Sequence, residues 1–323
     1  MSEAKSFKEK IHNVPPVLWM LITCIAIFTI LSPQFFELSN FRNILIQAAP
    51  LLVVSIGVTV VLLSEGVDLS TGGTISLTTV LWITFLKMGI PITVAIIMTL
   101  IIALFVGGVN GFIVAKGNIP PFIVTLGMAS ITSGVALVIT QGYSIYFFHP
   151  LFSRIVNSHL LYIPMPIVIA GVVFLVTWFL LYRTKYGAQV FGLGGNPEAL
   201  TLGGINRIWS VVRVFSYSGL LAGITGLILA SRIESGNPIS GVGWEFDAVA
   251  ATLIGGTSFN EGRGGIGGTI LGVLLLAIIR NALNVIGVSS MYQSALIGSM
   301  VLLAIIIDVS MKNKKDNRIE TEV

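Results

Sequence analysis

The sequence predicts an all-α polytopic membrane protein with about ten transmembrane helices, and three observations carry the prediction. Hydrophobic residues make up 54% of the 323-residue chain and charged residues 10%, where a soluble domain carries about 25% charged residues; the mean hydropathy is +0.95. Apolar runs recur at about twenty residues, the length that crosses roughly 30 Å of hydrocarbon. Lys and Arg gather at the ends of these runs and form no stripe interleaved with aromatics. The net charge of +4 therefore reflects membrane topology and argues against nucleic acid as a partner.

Residues 1–13 are polar, with Lys5, Lys8 and Lys10, and lie outside the lipid. A first span covers 14–31; Ser32-Pro33-Gln34-Phe35-Phe36 follows it without the small residues of a cleavage site, so an uncleaved span is expected. The second span, 44–63, ends in Ser64-Glu65-Gly66-Val67-Asp68-Leu69-Ser70-Thr71-Gly72-Gly73. A third continues to about residue 88, a fourth covers 91–115 and a fifth 119–140. Residues 142–163 hold Tyr143, Tyr146, Phe147, Phe148, Phe152 and Tyr162 and are expected to lie along the membrane interface. The sixth span, 164–182, leads into a polar loop. The seventh covers 211–231, an eighth and less apolar one 246–257, and the last two 266–285 and 291–309, so the membrane domain runs over 14–309. Lys312, Lys314 and Lys315 mark a tail, 310–323.

An even number of spans puts both termini on one side, and the positive-inside rule makes that side cytoplasmic. Lys5, Lys8, Lys10, Lys116, Arg183, Lys185, Arg207, Arg213, Arg263, Lys312, Lys314, Lys315 and Arg318 then face inward, against Arg42, Lys87, Arg154, Arg232 and Arg280. The loop at 183–210 is cytoplasmic on this count. Loops between spans stay short unless they contact something, so this one is read as a docking loop. Its centre predicts a short helix: Asn196 is a good N-cap, Pro197 suits the first helical position, Glu198 meets the positive end of the dipole, and Gly203 and Gly204 end it after about two turns. A helix so short needs tertiary support. Ala199, Leu200 and Leu202 suit insertion into a cleft on another protein; a surface helix folded back on its own bundle is the plainer alternative.

Charge at membrane depth is costly and faces a cavity or a partner. That singles out Glu65, Asp68, Glu245 and Asp247, with Ser70, as candidate pathway or gate positions. Each acidic pair precedes a Gly-rich turn, Ser70-Thr71-Gly72-Gly73 and Gly255-Gly256-Thr257-Ser258, an echo that points to a pseudo-repeat of two halves. Asp68 with Ser70 also reads as a cap on the next helix. Glycines four apart, Gly107 and Gly111, Gly219 and Gly223, Gly264, Gly268 and Gly272, let helix backbones approach closely, and packing is their expected role.

Signals of catalysis are absent. The chain has no Gly-x-x-x-x-Gly-Lys-Ser/Thr loop, so it is not itself a P-loop ATPase, and no Gly-x-Ser-x-Gly elbow. Gly192-Leu193-Gly194-Gly195 does not follow a strand of a βαβ unit. His12, His149 and His159 lack metal-ligand spacing, and the lone Cys24 permits neither an internal disulfide nor a cysteine metal site. A transport subunit is expected, not an enzyme, with no cofactor or metal of its own.

Several motifs, in one order over almost the whole chain, carry a resemblance. They are Glu65-Gly66-Val67-Asp68-Leu69-Ser70-Thr71-Gly72, Val114-Ala115-Lys116-Gly117, Leu193-Gly194-Gly195-Asn196-Pro197-Glu198-Ala199, Gly204-Ile205-Asn206, Phe246-Asp247-Ala248-Val249-Ala250-Ala251 through Gly255-Gly256-Thr257-Ser258, and Asn284-Val285-Ile286-Gly287-Val288-Ser289-Ser290. Together they resemble the permease subunit of ribose-type monosaccharide ABC importers. The resemblance implies a fold similar to the vitamin B12-type importer permeases, in a cell inner membrane, with the permease working as a pair of identical or related copies. It also implies cytoplasmic ATPase subunits that use ATP and Mg, and an external or periplasmic sugar-binding protein. The loop at Asn196, Pro197, Glu198, Ala199, Leu200, Gly203 and Gly204 is similar to the coupling segment that sits in a groove of the ATPase; Leu200 stands where the general pattern has a second Ala. The competing class is a gradient-driven secondary transporter of a small polar solute, which needs its own buried coupling carboxylate, and Asp68 is the candidate.

Overall fold

The computed structural model describes residues 16–299 apart from 65, 149, 151, 153–158, 161–162, 259–261, 290–291, 294 and 297. Residues 1–13, Glu65, most of 149–162, the bulk of the tenth expected span and the Lys-rich tail therefore lie outside the described residues. Within them the chain forms eleven α-helices: α1 Pro16–Leu31, α2 Leu38–Leu63, α3 Thr71–Lys87, α4 Ile92–Gly117, α5 Pro121–Thr140, α6 Met165–Arg183, α7 Lys185–Gly195, α8 Pro197–Leu202, α9 Arg207–Ile233, α10 Trp244–Ile254 and α11 Ile266–Val285. Four two-residue strands complete it, β1 Ile145–Tyr146, β2 His159–Leu160, β3 Ile163–Pro164 and β4 Ser235–Gly236. Six helices, α2, α4, α5, α6, α9 and α11, are long and apolar enough to cross a membrane. The chain is a multi-pass, essentially all-helical membrane protein.

α2 is the axis. From Ala48 to Leu63 it is buried almost without a break, as expected of a helix that is apolar all round, and α6, α7, α9, α10 and α11 pack about it. The outer helices invert the pattern: α4 and α5 expose Ile97, Ile101, Phe105, Phe122, Ile131 and Val138, which suits lipid or a partner helix. Asn40 near the start of α2 exchanges hydrogen bonds with Asn281 near the end of α11, 2.9 and 3.0 Å. Thr59 Oγ1 lies 2.7 Å from Thr269 Oγ1 and 3.2 Å from Thr252 Oγ1.

The four-residue glycine spacings pack backbones, as expected. A Cβ on Gly111 of α4 would come 2.7 Å from Val212 Cα of α9, and one on Gly219 of α9 would meet the Ala103 carbonyl of α4. Gly268 and Gly272 of α11 bear in the same way on Gly255 and on Ala251 of α10. Gly111→Val should therefore cost about 1–3 kcal/mol through overpacking, whereas Gly127→Val, with nothing within 4 Å of its added Cβ, should cost little. Thermal unfolding of the two variants in one detergent checks this.

Two expected spans are short helices. α3 has 17 residues and starts only after an extended run, 66–70. That run leaves the foot of α2 and rises between α4, α5 and α9: Thr125 Oγ1 donates to the Val67 carbonyl at 3.2 Å, and Ser218 and Asn110 reach residues 68 and 70. The eighth span, expected as a helix over 246–257, is corrected in kind. α10 has 11 residues, about 16 Å or half a hydrocarbon layer. The other half is non-helical: from β4 the chain descends beside α3, with the Asn237 carbonyl accepting from Thr79 Oγ1 at 3.1 Å and Gly241 N–H donating to Ser76 Oγ at 2.9 Å. Non-helical backbone at membrane depth needs its polar groups satisfied by protein, and these two bonds from α3 do part of that.

The two half-helices run in opposite directions and meet at their N-termini, where Gly72 abuts Glu245 and Gly241. α3 thus follows the non-helical run 66–70, and α10 follows a chain of turns at 238–243. Residues 142–163 also differ in form: β1 pairs antiparallel with β4, and β2 with β3. A strand on this side ties the end of α5 to the end of α9, which apolar aromatics alone did not reveal.

Candidate functional site

The docking loop is a helical hairpin standing on the foot of α2. Thr184 caps α7 by accepting the Tyr186 N–H at 3.1 Å. α7 itself goes beyond the expectation; its four glycines weigh against a helix, yet Gly187, Val190, Leu193 and Gly194 form one buried face at the 3–4 residue spacing that signals it. Gly194 is pressed on the Leu63 carbonyl of α2 and on Gly262. Burial pushes the Tyr186 hydroxyl above its ordinary pKa, helped by the nearby Tyr217 hydroxyl.

α8 is the short helix expected from the sequence. Asn196 Oδ1 accepts the Ala199 N–H at 2.8 Å, Pro197 opens the first turn, Glu198 lies in it, and Gly203 and Gly204 follow the last residue, Gly204 at φ +79°. One of the side chains expected to face a partner does not. Leu200 is buried, its Cδ1 seated over Gly192 of α7, while Leu202 is 89% exposed. Their separation of two residues on a helix points them apart. Leu200 is the anchor that so short a helix requires, and Glu198, Ala199, Thr201 and Leu202 form the outward surface. Beneath it lies a cavity of about 260 Å³ whose walls include Ser64, Asn118, Pro197 and Arg207.

The acidic candidates fall in three environments. Asp68 is fully buried and bonded on both oxygens: Oδ1 accepts the Ser70 N–H at 3.0 Å and the Ser70 hydroxyl at 2.6 Å, and Oδ2 accepts the Ser218 hydroxyl at 2.8 Å. Asn110 Nδ2 closes the cluster on Ser70 Oγ at 2.8 Å. Asp68 with Ser70 thus ties the extended run to α4 and α9. Glu245 accepts the Gly243 N–H at 3.3 Å, and its Oε2 is buried against Gly72 without a hydrogen-bond partner. Asp247 forms an ion pair with Arg280 of α11 at 2.7 Å. Glu65 lies outside the described residues. The structure therefore joins the Asp68 and Glu245 motifs at the half-helix junction and draws Asp247 away from it.

Asn110, Ser218 and Arg280 were not singled out by sequence reasoning as site residues. A polar residue inside an apolar run is the signal for the first two; which one faces a carboxylate is settled only by the packing of α4 on α9. Among the described residues no group of His, Cys, Asp and Glu side chains could hold a metal.

Residues 40–305 match the family described as the branched-chain amino acid transport system permease component. The ribose import permease protein RbsC of Haemophilus influenzae is 38% identical over 299 residues, covering 91% of this chain and 93% of that protein. The RbsC protein of Bacillus subtilis is 37% identical over 308 residues, 94% of each chain. The D-allose transport system permease protein AlsC of Escherichia coli is 32% identical over 292 residues, 90% of each. No solved structure matches the chain.

Proposed function

Because the chain belongs to this family of transport permeases, we propose that it is the membrane-spanning subunit of an ATP-driven importer that moves a monosaccharide, ribose or a related sugar, into the cytoplasm. The observation that carries the reading is identity of 37–38% over 91–94% of the chain with ribose import permeases of two bacteria; the family's description names branched-chain amino acids, but these relatives are sugar permeases. In this reading α8 is the segment that docks on a cytoplasmic ATPase using ATP and Mg. The end of the bundle carrying β1 and β4 faces outward to a sugar-binding protein, and two copies pair in the inner membrane with their termini inside. In this reading the two half-helices, each with the non-helical run before it, count as spans of a ten-crossing, B12-type architecture.

The mechanism follows from the contacts. ATP-driven closure of the ATPase pair displaces α8. Leu200 on Gly192 and Gly194 on Leu63 pass the displacement to the foot of α2 and so to the extended run that Asp68 holds. A neutral sugar needs hydroxyl and amide partners along its path and no fixed charge of its own to neutralise. Glu65, Asp68, Ser70, Glu245 and Asp247 are the proposed gate.

The test is uptake of labelled D-ribose, D-allose, D-galactose and L-leucine into vesicles holding the complete complex. Import of a sugar that requires internal ATP and the binding protein is expected. Sugar import driven by an imposed proton or Na⁺ gradient without ATP would establish the secondary-transporter reading, and import of leucine alone would move the chain to the amino-acid branch of the family.

A further inference from the structure

Because α10 begins only at Trp244, the space above it, where a full-length helix would stand, is open. It forms a wedge between α2, the end of α9 and the outer half of α11, a cavity of about 170 Å³. Leu51 and Trp244 lie deepest; Gln47 is on the α2 wall, and Arg232 and Arg280 are at the rim. Depth follows from register: Arg280 adjoins Asn281, which pairs with Asn40 near the start of α2, whereas Leu51 is near the middle of that helix. Arg280 is fixed by Asp247 and is 37% exposed, so the pair leaves part of the guanidinium, with its five donors, facing the cavity. Arg232 has no hydrogen-bond or ion-pair partner among the described residues. Arg232 in the last turn of α9 and Arg280 in the outer half of α11 thus bring two guanidiniums to the edge of the cavity.

We propose that this wedge is a monosaccharide subsite on the outward half of the path, where the sugar rests after release by the binding protein; the proposal rests on the importer reading above. The chemistry suits a neutral polyol. An indole offers a flat apolar face with a polar edge, and the Gln47 amide and two guanidiniums supply donors and an acceptor for hydroxyls. A cavity of this size holds about six waters at ~30 Å³ each, on the order of one sugar ring. A carboxylate or phosphate solute would be drawn by the same arginines, but Asp247 sits beside Arg280 and the floor is apolar, which favours an uncharged ligand.

The test uses the chain's single cysteine. In a Cys24→Ser background, Gln47→Cys in the complete complex is treated from outside with a small charged thiosulfonate, with and without millimolar D-ribose, or whichever of D-allose and D-galactose the uptake panel shows to be imported. Labelling that the sugar slows several-fold, and that sucrose does not, is expected. Absence of labelling means the wedge is closed to the outside and overturns the proposal. Labelling that sugar-free binding protein blocks and sugar does not makes the arginine rim a docking surface for acidic side chains, which also overturns it. Failure of the importer reading itself registers separately, as the absence of sugar uptake by the parent complex. As a second arm, Trp244→Leu should lower sugar import by at least about tenfold while ATP hydrolysis stimulated by the binding protein persists, and Trp244→Phe should restore most of it. Import by Trp244→Leu at the parental rate would sink the subsite.

Discussion

Asp68→Ala is expected to remove most folded protein from the membrane. Three donors, the Ser70 N–H and the Ser70 and Ser218 hydroxyls, converge on its carboxylate, and each buried donor left unpaired costs about 1–3 kcal/mol. Interhelical hydrogen bonds in bilayers average nearer 0.6 kcal/mol, because the separated helices find other partners. The loss should therefore be roughly 2–5 kcal/mol. Asp68→Asn keeps an acceptor for Ser70, and the Ser218 hydroxyl can turn to accept from the amide, so this variant should fold. Its transport then separates two mechanisms. An ATP-driven permease should retain sugar import in Asp68→Asn, whereas a gradient-driven carrier that used Asp68 as its coupling carboxylate would lose it. Unfolding measured in detergent, together with uptake in vesicles, reports both.

Leu202→Asp is expected to abolish import with the chain still folded. Leu202 stands almost fully exposed on α8 and packs on nothing in its own chain that would register its loss. On the proposed docking of α8 in a groove of the ATPase, Leu202 would be a buried apolar anchor, and a charge there should cost roughly a hundredfold or more in assembly or coupled transport. Glu198→Lys, on the same surface, should act in the same direction. Leu200→Asp is the uninformative change: it places a carboxylate in the notch over Gly192 and should unseat α8 from its own subunit, so loss of import would not identify a partner. Co-purification of the ATPase with Leu202→Asp, at parental yield and with parental coupled hydrolysis, would mean that α8 is not the docking element.

Much of this was legible in the residues. Six of the spans followed from hydropathy, the cap and stop of α8 from Asn196, Pro197, Gly203 and Gly204, and the role of the glycine spacings from their period. What was not legible shares one cause, dependence on which backbone lies opposite. α7 is amphipathic only relative to the foot of α2. α10 is apolar enough to be mistaken for a short span because hydropathy does not register that residues 238–243 precede it as a chain of turns and not as helix. Leu200 and Leu202 are the same side chain to any scale, and only the notch at Gly192 tells the anchor from the free surface. Arg280 read as a topological charge until its neighbour Asp247 was placed.

The junction of the half-helices has a mechanical consequence. Gly72 and Gly241 bring main chain against main chain there, with the Glu245 and Ile75 side chains alongside, where α2 is fastened to its surroundings by interlocked leucines and isoleucines. Interdigitated side chains resist sliding because every ångström of travel forfeits many small dispersion contacts at once; smooth glycine surfaces forfeit few. Slip along this plane should therefore be easier than along the side-chain-packed faces of α2. A stroke delivered at the foot of α2 would be taken up there first, as slippage of one half-helix past the other, leaving the packed layers on either side intact.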